Sequence, residues 1–362
     1  MKTRAVSSEN AALSRKRMLR SLKKNLVSYS FLLPFIIGTL VFTLYPIAMS
    51  FLYALSNFNG TRITQIGFFN FEDIFDFSEF GWGRRVFGSL GVTFGYVFGN
   101  MAVSLVLSYV LALFLYSNIP GIRAIRVLCY LPCLIPGIAA GFIWTDAFSA
   151  NLADPSMNGL FNTWLMKLGL EPLTFFTDAS SSLATLIFTG LWGIGGGMIM
   201  WLAAFGNISP ELYEAAKMDG AGYFRRLFFI TVPMSTPILF YNVVTSMIGG
   251  LQVFGTYANY GVGVDDSLHF IAIRIYITAF QDTFPGNYGL ACAMAWILFI
   301  IIAALTLVMF KTGGWIQYGE GDEGCKNRSL PREKRGSFRK SKSEKNGNRP
   351  AIILQNMPSP SS

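Results

Sequence analysis

The polar residues best placed to do work in this chain are Glu214-Ala215-Ala216-Lys217-Met218-Asp219-Gly220, followed after nine residues by Ile230-Thr231-Val232-Pro233. Their chemistry is that of a docking surface, not of a reaction. Ser209 can cap a helix start, Pro210 suits its first turn, and Glu211 and Glu214 complement the positive end of the helix dipole. A helix is therefore expected from 210 to about 219, with Leu212, Ala215 and Ala216 on one face that a partner can approach closely. Gly220 supplies the break, since a sharply turned residue costs least without a Cβ. A second helical stretch from Ala221 leads through Tyr223, Phe224, Leu227 and Phe228 to Pro233, which begins the next apolar segment. An ordinary amphipathic loop between helices has the same appearance, and the residues alone leave both readings open.

A second set of polar and aromatic residues lies inside apolar stretches: Trp192, Tyr241, Asn242, Gln252 and Tyr257. A sugar needs hydrogen-bond partners and a flat ring to stack on, which these supply, although helix-to-helix hydrogen bonds explain such residues equally well. Reaction chemistry is poorly served. The chain has a single histidine, His269, in a loop, and Cys129, Cys133 and Cys292 fall in apolar stretches where a structural role is expected. No paired carboxylates occur in the apolar segments, and no G-x-x-x-x-G-K-[ST] phosphate loop is present, so ATP hydrolysis is not expected of this chain. Gly190, Gly193, Gly195, Gly196 and Gly197 do not form a dinucleotide-binding turn, because no strand precedes them and membrane-type residues surround them. They suit close helix packing, or a bend beside a path.

The elements that position these residues follow from where charge is missing. The 362 residues are 52% hydrophobic, 15% aromatic and only 14% charged, too little charge for a soluble protein of this length. Each Asp, Lys or Arg at the centre of a spanning helix costs roughly 2.5–3.5 kcal/mol, so charge-free windows locate the spans. Six windows, 25–61, 86–122, 127–145, 179–210, 227–264 and 283–310, each hold the roughly 20 apolar residues a span needs. The spans are placed near 29–53, 93–116, 126–145, 183–205, 229–256 and 288–310. The first, with Pro34 and Pro46 and no small-residue cleavage site, reads as a retained signal anchor.

Six spans put both termini on one side. Residues 1–28 carry eight basic residues, whereas the opposite loops set Arg62, Arg84, Arg85, Lys167 and Arg274 against eleven carboxylates. The positive-inside rule then places both termini and the 209–228 loop in the cytoplasm. The formal charge of +9 comes from the termini and suits membrane lipid; no nucleic-acid partner is expected. The expected organisation is a basic segment 1–27, a membrane body 28–311 and a basic tail 312–362 too poor in apolar residues to fold. The 54–92 loop, aromatic and acidic around Phe68-Phe69-Asn70-Phe71, suits either an outer docking surface or a solvated interfacial loop.

The 214–233 pattern resembles, residue for residue, the EAA loop of permease subunits in ATP-binding-cassette importers. That family's motif is Glu-Ala-Ala, three residues, Gly, nine residues, Ile, one residue, a large aliphatic and Pro; here Glu214, Ala215, Ala216, Gly220, Ile230 and Pro233 fill it, with Val232 where leucine is commoner. The resemblance extends over most of the membrane body and points to the carbohydrate-uptake branch, close to maltose-type and glycerol-phosphate-type permeases. Leu33-Pro34 with Thr43-Leu44-Tyr45-Pro46, Leu131-Pro132 through Ile135-Pro136 to Trp144, Asn158-Gly159-Leu160-Phe161-Asn162, Gln252-Val253-Phe254 and Tyr288-Gly289 with Ala291 carry it. The long basic tail and the acidic Gly261–Asp266 loop depart from the branch.

The resemblance implies an all-α integral membrane protein with six transmembrane helices, the type I importer permease fold. It makes Glu214 through Asp219 to Gly220 the coupling helix that seats in an ATPase subunit. It further implies a homologous second permease, two cytoplasmic ATP-binding subunits that use ATP and Mg, and an extracytoplasmic solute-binding protein, with no cofactor bound by this chain. A carbohydrate is the implied cargo. A permease for another solute, such as a glycerol phosphodiester, and an ATP-independent channel or membrane enzyme stay open.

Overall fold

The computed structural model describes residues 29–315 apart from 80, 118, 152–153, 155–156 and 282–286. The basic segment expected at 1–27 and the tail from 316 lie outside the described residues.

Four helices are long and apolar enough to cross a bilayer unbroken: Tyr29–Ala54, Gly83–Leu115, Ala179–Gly206 and Tyr288–Thr312. They are the first, second, fourth and sixth spans. The third and fifth are bent pairs, Ile122–Leu134 with Gly137–Ala147 at 92° and Tyr223–Met234 with Thr236–Leu251 at 59°. The second span starts ten residues earlier than its charge-free centre suggested, with Arg84 and Arg85 in its first turn. Charge marks where lipid ends, not where a helix begins. Arg85 rests its guanidinium 5.2 Å from the centroid of Trp82. The fifth span stops at Leu251, short of the expected 256.

Proline chemistry explains the bends. Pro136 forces the residue before it out of the helical region, and Ile135 is extended at φ −76°, ψ 125°. Pro46 and Pro233 each follow a single π turn, Leu40–Leu44 and Leu227–Thr231. There Tyr45 N–H reaches back to Leu40 O and Val232 N–H to Leu227 O. The extra residue in the turn gives room for the proline ring against the carbonyl four residues earlier. Pro237 has no N–H to offer the Pro233 carbonyl, and Thr236 Oγ1 donates to that oxygen instead at 2.8 Å. Ser235, at the bend, gives its hydroxyl to Val232 O at 2.9 Å.

The second span is the axis of the packing. At one end it meets the fourth span through Trp201 and Phe205, both wholly buried. Trp201 Nε1 donates to Ser108 Oγ at 3.1 Å, and Tyr109 meets the Trp201 ring edge-on at 4.9 Å. Toward the other end Val86, Leu90 and Val97 pack with Met247, Leu251, Ile271, Leu290 and Met294. Gly195 is a true close approach, since a Cβ there would overlap the Cys129 carbonyl. The first span buries only Ala54 fully; near that end Ser50 and Phe51 meet Trp296 of the sixth span, and most of the remaining length is exposed.

Two regions hold elements that were not anticipated. The aromatic, acidic loop holds an antiparallel hairpin, Ser56–Phe58 with Ile63–Ile66, and a short helix Phe69–Ile74, so the protein is not wholly helical. Asn70 Nδ2 donates at 2.9 Å to both Ala54 O and Ser56 O, which fastens this unit to the end of the first span. A ten-residue apolar helix, Ile271–Phe280, lies between the fifth and sixth spans and is too short to cross. Its Arg274 is buried, donating to Ser89 Oγ at 2.7 Å and to Asp266 Oδ2 at 3.2 Å.

Candidate functional site

Two regions carry the chemistry, at different depths. The first is the 209–228 loop. A helix runs Pro210–Met218 with proline in its first turn, but Ser209 makes no side-chain cap, so its expected hydroxyl role is not realised. The helix ends as a Schellman motif: Ala221 N–H bonds Ala216 O at 2.8 Å and Gly220 N–H bonds Lys217 O at 3.0 Å. Gly220 sits at φ +73° with open space where a Cβ would be. Glu214, Ala215 and Asp219 are exposed, Ala216 and Ile230 are half-buried, and Pro233 sits half-buried in the first half of the bent fifth span. Tyr213 turns inward, and its hydroxyl meets Thr231 Oγ1 at 2.9 Å. Met218, Phe224, Phe228 and Phe229 make an exposed apolar rim around the loop.

Beneath the 210–218 helix lies a cavity of about 360 Å³, lined in part by Tyr116, Tyr213, Glu214, Lys217 and Arg226. The ion pairs among the described residues are those of Asp266, so Glu214, Lys217 and Arg226 form none there. Arg226 Nε is buried without a hydrogen-bond partner.

The second region is a cleft of about 610 Å³ between the two halves of the third span, the fourth span and residues 253–260. The 92° break at Ile135-Pro136 opens it, and irregular backbone at that depth is tolerated because it lines a cavity. Its walls carry Tyr96, Trp144, Trp192, Thr256, Asn259 and Tyr260, with no Asp, Glu, Lys, Arg or His among the described lining residues. Trp144 and Trp192 stand edge to face at 5.2 Å. Tyr260 stacks on Phe176 at 4.3 Å.

Of the five residues read from the sequence as a substrate path, Trp192 lies on this cleft. Tyr241 is exposed on the outer surface of the fifth span and does not line it. Asn242 is buried and gives its amide to Ile238 O at 3.0 Å within its own helix. Gln252 is exposed at the end of the fifth span. Tyr257 begins a short helix, Tyr257–Tyr260, and its side chain lies outside the described residues. Thr256 and Asn259, which also line the cleft, are not among those five because they lie at and beyond the end assigned to the fifth span. Their signal was polarity just past an apolar stretch, which a loop also gives.

A bundle of apolar spans, a cleft whose described lining carries no charged side chain, and an exposed helix-glycine-helix loop are the features of a membrane permease. The probable ABC transporter permease protein YesP of Bacillus subtilis (strain 168) is 33% identical over 320 residues, covering 86% of this chain and 98% of that protein. The chain belongs to the permease subunits of ABC transporters. The lactose transport permease LacF of Rhizobium radiobacter is 27% identical over 287 residues, 77% of this chain and 91% of LacF. No protein-family model matches. The crystal structure of a bacterial ABC transporter that imports the acidic polysaccharide alginate contains a chain with the same fold, at TM-score 0.71 and 23% identity, covering 83% of this chain and all of that one (100%).

Proposed function

We propose that this chain is one membrane-spanning half of an importer that carries a carbohydrate across the cytoplasmic membrane, driven by ATP hydrolysis on separate subunits. The observation that carries the reading is the 210–218 helix, exposed on its outer face, closed by Gly220 and tied to the fifth span through Tyr213 and Thr231. An element docked by a partner and fastened to a bent span can pass that partner's movement into the bundle. Similarity to LacF, and to the arabinooligosaccharide permease AraP of Bacillus subtilis (27% identical over 301 residues), supports a sugar as cargo.

In this reading Glu214, Ala215, Ala216, Asp219 and Gly220 meet the ATPase, while Ile230 and Pro233 shape the turn that receives the movement. The partners are a homologous second permease, two ATP-binding subunits and an extracytoplasmic solute-binding protein; a solved alginate importer of this fold is in complex with a periplasmic protein. The basic residues near the N-terminus put both termini, with the loop, in the cytoplasm. ATP and Mg belong to the partners. Shifting the bundle from 1:99 to 99:1 between two states takes about 5.5 kcal/mol of differential binding, so a badly docked loop stops transport without preventing insertion.

Affinity purification of the tagged full-length chain from membranes tests this. Recovery of a second permease and an ATPase, with ATP hydrolysis that Glu214→Lys depresses at equal membrane level, is the expected result. A chain recovered alone and without ATPase activity overturns it.

A further inference from the structure

The cavity of about 360 Å³ beneath the 210–218 helix differs in chemistry from the intramembrane cleft. Its described lining carries two cations, Lys217 and Arg226, against one carboxylate, Glu214. Lys217 comes from the 210–218 helix and Arg226 from the residue just before the π turn of the fifth span, so two separately positioned cations border one space. Arg226 Nε is buried there with no hydrogen-bond partner in the chain. A buried guanidinium N–H without an acceptor is costly, and an anionic oxygen answers it better than a neutral one.

The place of the cavity narrows the class of anion. Tyr116 and Ser117, on its wall, follow directly on Leu115, the last residue of the second span, so the cavity opens where a bilayer's headgroups begin. Leu113 and Leu227 form an apolar part of the wall, and Phe228 and Phe229, next along the chain, are 62% and 78% exposed. Paired cations beside apolar surface suit a phospholipid, whose phosphate meets the charges while its acyl chains cover the rings. Its phosphodiester has two unesterified oxygens, one for each cation. A free phosphate ion gains nothing from the phenylalanines, and a zwitterionic lipid brings a cation of its own to a space that already holds two.

We propose that this cavity is a phosphate site filled from the bilayer: the headgroup phosphate of an anionic phospholipid sits on Arg226 Nε and Lys217, with the acyl chains along Phe228 and Phe229. A phosphate held by both cations joins the 210–218 helix to the start of the fifth span, beside the bond between Tyr213 and Thr231. Glu214 opposes the ligand, and its neutralisation strengthens binding. The site goes beyond the importer reading and needs no ATPase.

Ser117 lines the cavity with its hydroxyl bonded back to Phe114 O at 2.6 Å, so Ser117→Cys places a reporter thiol there. N-ethylmaleimide addition to that thiol is followed by peptide mapping. The sample is the full-length chain with its co-purifying partners, in vesicles of phosphatidylcholine with and without phosphatidylglycerol. Phosphatidylglycerol is expected to slow labelling, and inorganic phosphate added to phosphatidylcholine vesicles to leave it unchanged. With Arg226→Gln added, the phosphatidylglycerol needed for half that slowing should rise roughly tenfold, as for one lost charge-assisted hydrogen bond. Lys217→Gln should raise it less, and Glu214→Gln should lower it. A charged surface slows a thiol in every variant alike, so these opposite signs belong to the site. Equal slowing in Arg226→Gln and its parent overturns the site. Inorganic phosphate as effective as phosphatidylglycerol overturns the lipid as its source. No slowing by phosphatidylglycerol, with labelling in phosphatidylcholine already slower than in Arg226→Gln, overturns it in favour of a partner protein's carboxylate. N-ethylmaleimide crosses bilayers and phosphatidylglycerol occupies both leaflets, so the outcome does not depend on which face is cytoplasmic. Failure of the importer reading, a chain recovered alone, is seen separately.

Discussion

The hydroxyls of Tyr213 and Thr231 meet at 2.9 Å, joining the centre of the 210–218 helix to the last residue of the π turn in the fifth span. Thr231 is buried and Tyr213 half-buried, so the bond is shielded on the side of the bundle. Two residues further on stands Pro233, and the 59° bend follows directly. Under the proposed coupling role, a partner that displaced this helix would act on the fifth span at the point where that span is already least regular.

Tyr213→Phe keeps the ring and removes the hydroxyl, and Thr231→Val removes the other partner at nearly the same volume. Each substitution should leave membrane level unchanged and lower the uptake obtained per ATP hydrolysed. In the double variant the losses should not add, with a coupling energy of about 0.5–1.5 kcal/mol for a single hydrogen bond. Additive losses would mean that the two hydroxyls act separately.

At Gly220 the cost of substitution is conformational only, because φ is +73° and nothing stands near the missing Cβ. Alanine should cost about 1–2 kcal/mol, asparagine less because its side chain tolerates the left-handed region, and proline most. Proline cannot adopt this φ and would also remove the Gly220 N–H bond to Lys217 O. Uptake at equal membrane level should thus fall in the order Gly, Asn, Ala, Pro. An alanine variant worse than the proline variant would show that space, not backbone angle, is what matters there.

Asp266 gives a pH dependence. Burial pushes its carboxyl up, but the hydrogen bond from His269, with the charges of His269 and Arg274, outweighs this and holds it below the ordinary 3.8. A depressed carboxyl stabilises the folded state fully above its unfolded value, and the contribution is lost as pH falls through the lower folded value. The thermal midpoint of the purified protein should exceed that of Asp266→Asn at pH 6, and the gap should start to narrow as pH falls below about 4, the unfolded value, and go on narrowing toward the lower folded one. A gap that does not narrow at all below pH 4 would assign the difference to packing rather than to charge.

Much of this arrangement was legible because its causes are local. Six stretches without charge gave the spans, since lipid excludes charge wherever a helix crosses. Gly220 was legible as a turn because only glycine takes a positive φ cheaply, and the angle is there. The π turns before Pro46 and Pro233 were not legible: proline announces a disturbance, but the neighbouring packing chooses its form. Ser209 had the right type and position for a cap, yet its hydroxyl goes unused. Arg274 looked like a loop residue until the Ile271–Phe280 helix folded it against Ser89, 185 residues away in sequence. The cleft depends on the same kind of distant pairing, since Asn259 reaches it only where the bent third span brings Gly141 alongside. Tyr241 and Asn242 were chosen for polarity within a span, which by itself does not say which way a helix is turned.

Arg126 separates a topological role from a structural one. Its Nε and a terminal nitrogen donate to Leu115 O at 3.1 and 2.6 Å, closing the last turn of the second span, where carbonyls lack partners in the helix. Lysine keeps the positive charge that the positive-inside rule counts but cannot make a two-pronged bond to one oxygen. Arg126→Lys should therefore insert with unchanged orientation, read by labelling of a cysteine placed in the 209–228 loop, while the thermal midpoint drops. The cost is about 1 kcal/mol, because the bond is charge-assisted but only partly shielded. Arg126→Gln should fall further in stability, and its orientation should hold as long as the eight basic residues of 1–28 are kept. An Arg126→Lys variant as stable as the parent would show that the two bonds to Leu115 contribute nothing and that charge alone is the reason for a basic residue at this position.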